Sequence, residues 1–314
     1  MTFPAGFFII DKPSGVTSFS MVSLVRRLTG VRRVGHAGTL DPLATGVLPV
    51  AVGQAARLIQ YMDAGRHTYA GRHTDAESKI YLARVRFGVA TDTFDADGAV
   101  TATADASAVT AAAIEAALPE FTGDIDQVPP MYSAIKVAGK QLYRYAREGE
   151  TVELKPRPVH IERITLVGFD APDAELEVVC GKGTYVRSLA HDLGRRLGSG
   201  AHLAALRRTA SGGFSIKDAV TPEALTQLAE AGRLQDALLA PDRAAERLRA
   251  AIVGDEHAAD VRAGRDLELD LPAGVRPPVA GENCRAYDAG GSFIGILERL
   301  AGGSWHPARV LLVA

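Results

Sequence analysis

The chain has 314 residues, 47% of them hydrophobic and 23% charged, with 35 Lys and Arg against 37 Asp and Glu. That balance suits one large or two ordinary folded domains and excludes global disorder. The longest apolar runs, such as Val47 to Val52, are too short to cross a bilayer, and two distant cysteines, Cys180 and Cys284, exclude a disulfide framework or a cysteine-rich zinc site.

In chain order, Phe7-Phe8-Ile9-Ile10 reads as a buried strand closed by the turn-forming residues Asp11 to Gly15. No basic segment precedes it, so no secretory leader is expected and the protein is placed in the cytoplasm. Thr17 or Ser18 caps a helix with Met21, Leu24, Val25 and Leu28 on one face, ending at Gly30. Residues 35–46, rich in Gly, Thr, Asp and Pro, read as a loop, followed by a strand at 47–52. Residues 64–75 hold a tandem duplication in which Ala-Gly-Arg-His-Thr occurs twice. His67 and His73 repeat only because the segment repeats, so no metal site is read there. A strand is expected at 80–87, an alanine-rich surface helix at 99–118, and a strand at 176–180. A helix then carries Val186, Leu189, Ala190, Leu193 and Leu197 on one face, and Thr221-Pro222-Glu223 starts another. The last seventy residues predict a helix and short strands with their own core at Leu267, Leu269, Leu271, Ile294, Ile296, Leu297 and 310–313.

Charge is unevenly spread. Residues 1–60 hold six basic residues against two acidic ones, and residues 136–158 hold six against three. Such stretches fit either a face that meets a polyanion or ordinary solvated surface. Phosphate-cradling, dinucleotide-binding and metalloprotease motifs are all missing, so any catalysis is expected from side chains alone, with no cofactor and no metal. Asp41 is the foremost candidate: a carboxylate in a Gly-bounded loop between a basic helix end and a buried strand. Pro42 keeps it out of helical geometry. Such a group serves as nucleophile or base, or else stabilises a turn before proline.

Several motifs run in order from residue 7 to about 215: Asp11 to Ser18, Gly35 to Gly46, Lys79-Ile80-Tyr81, Gly88 through Thr91-Asp92-Thr93 to Asp95, Pro130 to Lys136, Gly139 to Tyr143, Lys182 to Leu189, and Gly200 to Thr209. Together they resemble the TruB family of tRNA pseudouridine-55 synthases. The resemblance implies an α+β pseudouridine synthase fold: a mixed, mostly antiparallel sheet with a central cleft (1–240), an RNA-gripping thumb at about 125–155, and a small β-rich PUA-like RNA-binding domain (241–314). It implies that Asp41, Tyr185 and Arg187 carry out the catalysis. Tyr81 would stack on the flipped uracil, Leu206 wall the pocket, and His36 fill the space left by the base. Lys12, Lys136, Lys140 and Arg144 would grip the T-arm of tRNA. A stand-alone monomer is expected, with no guide RNA and no membrane. The alternative is a tRNA-binding or tRNA-folding protein without catalysis.

Overall fold

The computed structural model describes residues 3–62, 79–269 (without 134, 138, 143, 144, 146, 147, 149 and 151) and 276–311. The 64–75 duplication and Leu271 lie outside the described residues.

The chain opens with β1 (Gly6–Lys12), α1 (Ser18–Thr29), β2 (Val34–His36), β3 (Thr45–Val52), β4 (Lys79–Phe87) and the hairpin β5 (Val89–Thr91) and β6 (Val100–Thr103). There follow α2 (Ala111–Ala117), β7 (Gly123–Gln127), the two-residue strands β8 (Lys136–Val137) and β9 (Lys140–Gln141), β10 (Arg157–Asp170), β11 (Asp173–Cys180), α3 (Val186–Arg196), β12 (Ala201–Ser211), β13 (Phe214–Ser215) and α4 (Pro222–Glu230). The C-terminal part contains β14 (Arg249–Ile252), α5 (Asp255–Ala263), β15 (Asn283–Tyr287), β16 (Phe293–Arg299) and β17 (Trp305–Val310). Among the described residues, no helix is long and apolar enough to cross a membrane.

One large sheet runs β1-β3-β12-β4-β11-β10-β7, with β2 beside β3 and β13 beside β12. It is mixed: β12 lies parallel to β3 and antiparallel to β4. Both of its faces are covered, which explains the unbroken apolar runs of β1 and β3. Phe8, Ile10, Leu48, Val50 and Val52 point into the main core, whereas Phe7, Ile9, Val47 and Ala51 point into a second one. Residues Ala244, Leu248, Ile296 and Leu311 complete the second core, joining the C-terminal strands to the back of the large sheet. A third core, with Val261, Leu267, Ile294, Leu297 and Trp305, closes the four-stranded sheet β14-β15-β16-β17.

The expected first helix is present. The Thr17 side chain accepts from Ser20 N, and Gly30 closes the helix in the left-handed conformation at φ 69°. Two expectations change. Residues 99–118 are not one surface helix: β-branched Val100, Thr101 and Thr103 pair with β5, and Asp105 caps the Ser107 amide at 2.8 Å, before the short α2 begins. Its Ile114 and Ala117 are buried in the main core. At the C-terminus a strand precedes the helix, because β14 pairs in parallel with β15.

β12 is the strand that assembles the site. It sits between β3 and β4, so the parallel contact at Thr45 and Gly46 brings the loop carrying Asp41 over the strand carrying Tyr81. Gly46 adopts φ +98°, and a Cβ there would lie 2.2 Å from the Arg208 carbonyl. Gly46→Ala should therefore destabilise the fold by about 2–5 kcal/mol, combining backbone strain with overpacking. Denaturant unfolding measures this, and a loss below about 1 kcal/mol would show that the two strands separate easily.

Candidate active site

Asp41 lies on the loop between β2 and β3, and the backbone of that loop is clamped from beneath. The Ser18 hydroxyl donates to the Leu40 carbonyl (3.0 Å) and accepts from the Leu40 amide (2.9 Å). Lys12, with no exposed surface, directs its Nζ to the carbonyls of Pro13 (2.9 Å), Val16 (2.8 Å) and Pro42 (3.2 Å). Gly15 N donates to the same Pro42 carbonyl at 2.9 Å. Arg208, also fully buried, donates from Nη2 to the Gly38 carbonyl (3.0 Å) and from Nε to the Val47 carbonyl (2.8 Å). Two cations thus hold the loop by its carbonyls, leaving its one carboxylate free for a different partner.

That partner is Arg187, on the first turn of α3 and only 4% exposed. Its Nε stands 3.0 Å from Asp41 Oδ2, in an ion pair rather than a linear hydrogen bond. Nη1 lies 3.3 Å from the buried Asp95 Oδ2 and donates to the Thr93 carbonyl at 3.3 Å, while Nη2 donates to the Tyr132 carbonyl at 3.0 Å. A guanidinium this deep requires such partners. Asp41 keeps 37% of its side chain exposed, so its carboxylate stays open to an incoming group while Arg187 is buried behind it. Burial raises the Asp41 pKa, Arg187 and Lys12 pull it down, and Asp95 pushes it up.

Tyr81 is buried on β4 with Arg208 as its cross-strand neighbour. Burial pushes its phenol up to about 12, against the pull of the Arg208 charge. Leu206, two residues earlier on β12, is in the same core cluster. Tyr185 is the residue before α3. Its amide donates to Gln127 Oε1 (2.7 Å) and its carbonyl accepts from Gln127 Nε2 (3.0 Å), which fixes the start of the helix bearing Arg187. Its phenol is half-buried and its pKa is raised by that burial. His36 ends β2, with a buried Nδ1 lacking a hydrogen-bond partner and a pKa lowered by burial and by Arg208.

The expected cluster of Asp41, Arg187, Tyr81, Tyr185, Leu206 and His36 thus falls on β2, β4, β12, the loop before β3 and the start of α3. Of the expected RNA-gripping set, Lys12 lies beneath this cluster and Lys140 lies on the separate strand β9. Lys12 is no surface phosphate contact: it is buried and its ammonium is spent on three carbonyls, with burial lowering its pKa to about 8. Lys140 pairs with Glu148 and lies 4.2 Å from the Tyr145 ring centroid. Lys136 is on β8, and Arg144 lies outside the described residues.

Sequence reasoning assigned no role to Asp95, Arg208 or Gln127. Asp95 and Arg208 fell within quoted motifs, but two adjacent arginines at 207 and 208 look alike in sequence. Only the register shows that Arg208 is buried beside Tyr81, whereas Arg207 is partly exposed and pairs with Asp11 at 2.8 Å.

Comparison with known proteins identifies the family. Residues 26–186 match the profile of the TruB family pseudouridylate synthase N-terminal domain, and residues 187–256 match the tRNA pseudouridylate synthase B C-terminal domain. The chain is 40% identical over 307 residues to tRNA pseudouridine synthase B of Dehalococcoides mccartyi strain 195, covering 98% of this chain and 96% of that protein. It is 41% identical over 280 residues to the namesake from Geobacter sulfurreducens, covering 86% and 88%. Among solved structures, a Cbf5-Nop10-Gar1 complex superposes with a TM-score of 0.70 at 26% identity, covering 98% of this chain and 84% of that one. An H/ACA ribonucleoprotein bound to a substrate RNA containing 2'-deoxyuridine gives 0.72 at 24% identity, covering 98% and 85%, a likeness of fold.

A raised carboxylate pKa means that the fold favours the protonated form. The stability this contributes is present at low pH and is lost as pH rises through the raised value. Asp41→Asn should therefore melt no lower than the wild type at pH 7, since Arg187 keeps Asp95 and two carbonyls. A clearly lower melting temperature in calorimetry would mean that Asp41 serves the fold rather than the chemistry.

Proposed function

We propose, because the chain belongs to the TruB family of pseudouridylate synthases, that it converts the uridine at position 55 in the TΨC loop of tRNA to pseudouridine. The reaction breaks the N1–C1′ bond, forms a C5–C1′ bond, and exchanges the C5 proton for one on N1. Composition does not change, so acid, base and orientation suffice. The observation that carries this reading is the Asp41–Arg187 pair at 3.0 Å, with the carboxylate still open to the cleft.

In this reading the target base leaves its stack and enters the cleft, where the Tyr81 ring packs against it. Such stacking contributes about 1–3 kcal/mol per base. Leu206 walls the pocket and His36 occupies the space left in the RNA. Arg187 favours the ionised form of Asp41 against the effect of burial and aims it as it acts on the uridine. Tyr185, whose phenol keeps its proton at neutral pH, relays the proton leaving C5: its oxygen accepts that proton as its own O–H proton passes on, the net transfer being the C5-to-N1 exchange above. Lys136, Lys140 and Arg144 grip the T-arm from the thumb at about 125–155, Lys140 exchanging its internal acidic partners for phosphate. The segment 241–314 forms a second RNA-binding domain beside the catalytic one at 1–240. The enzyme works as a monomer in the cytoplasm, without a guide RNA.

Release of tritium from C5-labelled, unmodified tRNA tests this. Wild-type protein should release it from intact tRNA, and neither from free uridine nor from a tRNA with cytidine at the target position. Asp41→Asn should abolish release while retaining tRNA affinity, which phosphate contacts dominate. Turnover within about tenfold of wild type would remove Asp41 from the chemistry. No release by the wild type, with tight salt-sensitive binding, would favour a tRNA-folding role. Because Asp41 must be ionised and its pKa is raised, the single-turnover rate should fall on acidification with a midpoint above the ordinary carboxylate range. A midpoint at or below that range would show that another group sets the acid limb.

A further inference from the structure

Among the described residues, Phe94 is the one residue other than glycine with a positive φ, at 64°. Aromatic side chains are strained in that conformation, and such strain persists only where the surroundings impose it. Phe94 stands between the two groups that meet Arg187 Nη1: the Thr93 carbonyl and the Asp95 carboxylate, each at 3.3 Å. In an extended segment the Thr93 carbonyl would lie in the plane of the backbone hydrogen-bonding groups while the Asp95 side chain stood roughly perpendicular to it. The left-handed turn folds both onto a single nitrogen.

The turn is fastened on several sides. Thr91 Oγ1 donates to the Asp95 carbonyl (2.7 Å), Thr93 Oγ1 donates to Asp95 Oδ1 (2.6 Å), and the Asp97 amide donates to the same oxygen (3.1 Å). The amide of Leu203, on β12, donates to the Phe94 carbonyl at 2.9 Å. The ring itself lies on His191, with centroids 3.9 Å apart and planes inclined by only 17°. His191 is four residues after Arg187 on α3, hence one turn along the same helical face. Its Nδ1 is buried without a hydrogen-bond partner, so nothing polar at that atom fixes the ring in place.

Resting on the pseudouridine synthase reading above, we infer that Phe94 and His191 form a stacked positioning pair that sets Arg187 against Asp41. One face of α3 carries both the guanidinium and the imidazole, and the 93–95 turn grips the two together. The stack fixes the turn's height along the helix, and the turn fixes the direction of Arg187. Neither ring touches the reacting uridine.

Glycine separates the backbone from the ring, because Phe94→Gly keeps the left-handed turn at no strain and removes only the stack. Phe94→Gly and His191→Ala should each lower the single-turnover rate of pseudouridine formation by about tenfold or more, as small misplacements of catalytic groups do. Affinity for tRNA should remain within about twofold, because neither side chain meets phosphate. The double variant should be no slower than the slower single variant, the signature of a shared interaction. His191→Phe restores a flat ring and should recover the rate to within about threefold of wild type. A Phe94→Gly rate within about twofold of wild type, or effects that multiply in the double variant, would overturn the inference. So would loss of rate and affinity together with a lowered melting temperature, since that marks a purely structural stack. If Phe94→Gly fails to fold, His191→Ala and His191→Phe decide the matter alone. A wild type that forms no pseudouridine overturns this inference and the functional reading together, whereas active wild type with unaffected variants overturns this inference only.

Discussion

An arginine with only 4% of its surface exposed must have its guanidinium neutralised and hydrogen-bonded before the chain can pack around it. Arg187 meets that demand with two carboxylates and two backbone carbonyls drawn from three separate loops: Asp41 before β3, Thr93 and Asp95 after β5, and Tyr132 after β7. None of these partners lies on α3 itself. The cation therefore ties distant parts of the chain to one point, and the candidate site is the place where they meet. Removing it would leave two carboxylates facing one another in a crowded pocket, which is more costly than losing an exposed ion pair.

The loop bearing Asp41 depends on a related arrangement of charge. Lys12 and Arg208 are both fully buried and both direct their protons to backbone carbonyls. They lend positive potential to the cleft without neutralising Asp41 by contact, so the carboxylate is bonded on one side by Arg187 and open on the other. The same potential acts on Tyr81 and His36. The sheet order makes this possible, because β12 inserts between the strand that follows Asp41 and the strand that carries Tyr81.

Much of this was legible in the sequence, for identifiable reasons. Apolar runs marked β1 and β3 because both faces of the sheet are covered, and Thr17 and Gly30 marked the ends of α1 through their capping chemistry. Motif resemblance named Asp41, Tyr81, Tyr185 and Arg187, and the structure brings them near one another. Less legible were features set by register and depth. Residues 99–118 looked helical because alanine dominates there, yet cross-strand pairing with β5 outweighed that propensity at Val100–Thr103. Lys12 looked like a phosphate contact, since a lysine in a basic stretch carries no mark of burial. Asp95 looked like one more turn aspartate until Arg187 was found 3.3 Å away. Phe94 gave no signal at all, because a backbone conformation belongs to the fold and not to the residue.

The arrangement amounts to a rigid, pre-aimed carboxylate whose direction is set by a planar cation. Replacing Arg187 by lysine examines that idea, since it keeps the charge but loses the fork that reaches Asp41, Asp95 and two carbonyls at once. Rapid-quench measurement of pseudouridine formation in a single turnover, alongside tRNA binding, separates direction from charge. Arg187→Lys should slow the reaction by about a hundredfold or more with tRNA affinity preserved. A rate within about threefold of wild type would mean that a positive charge near Asp41 suffices and that its aim does not matter.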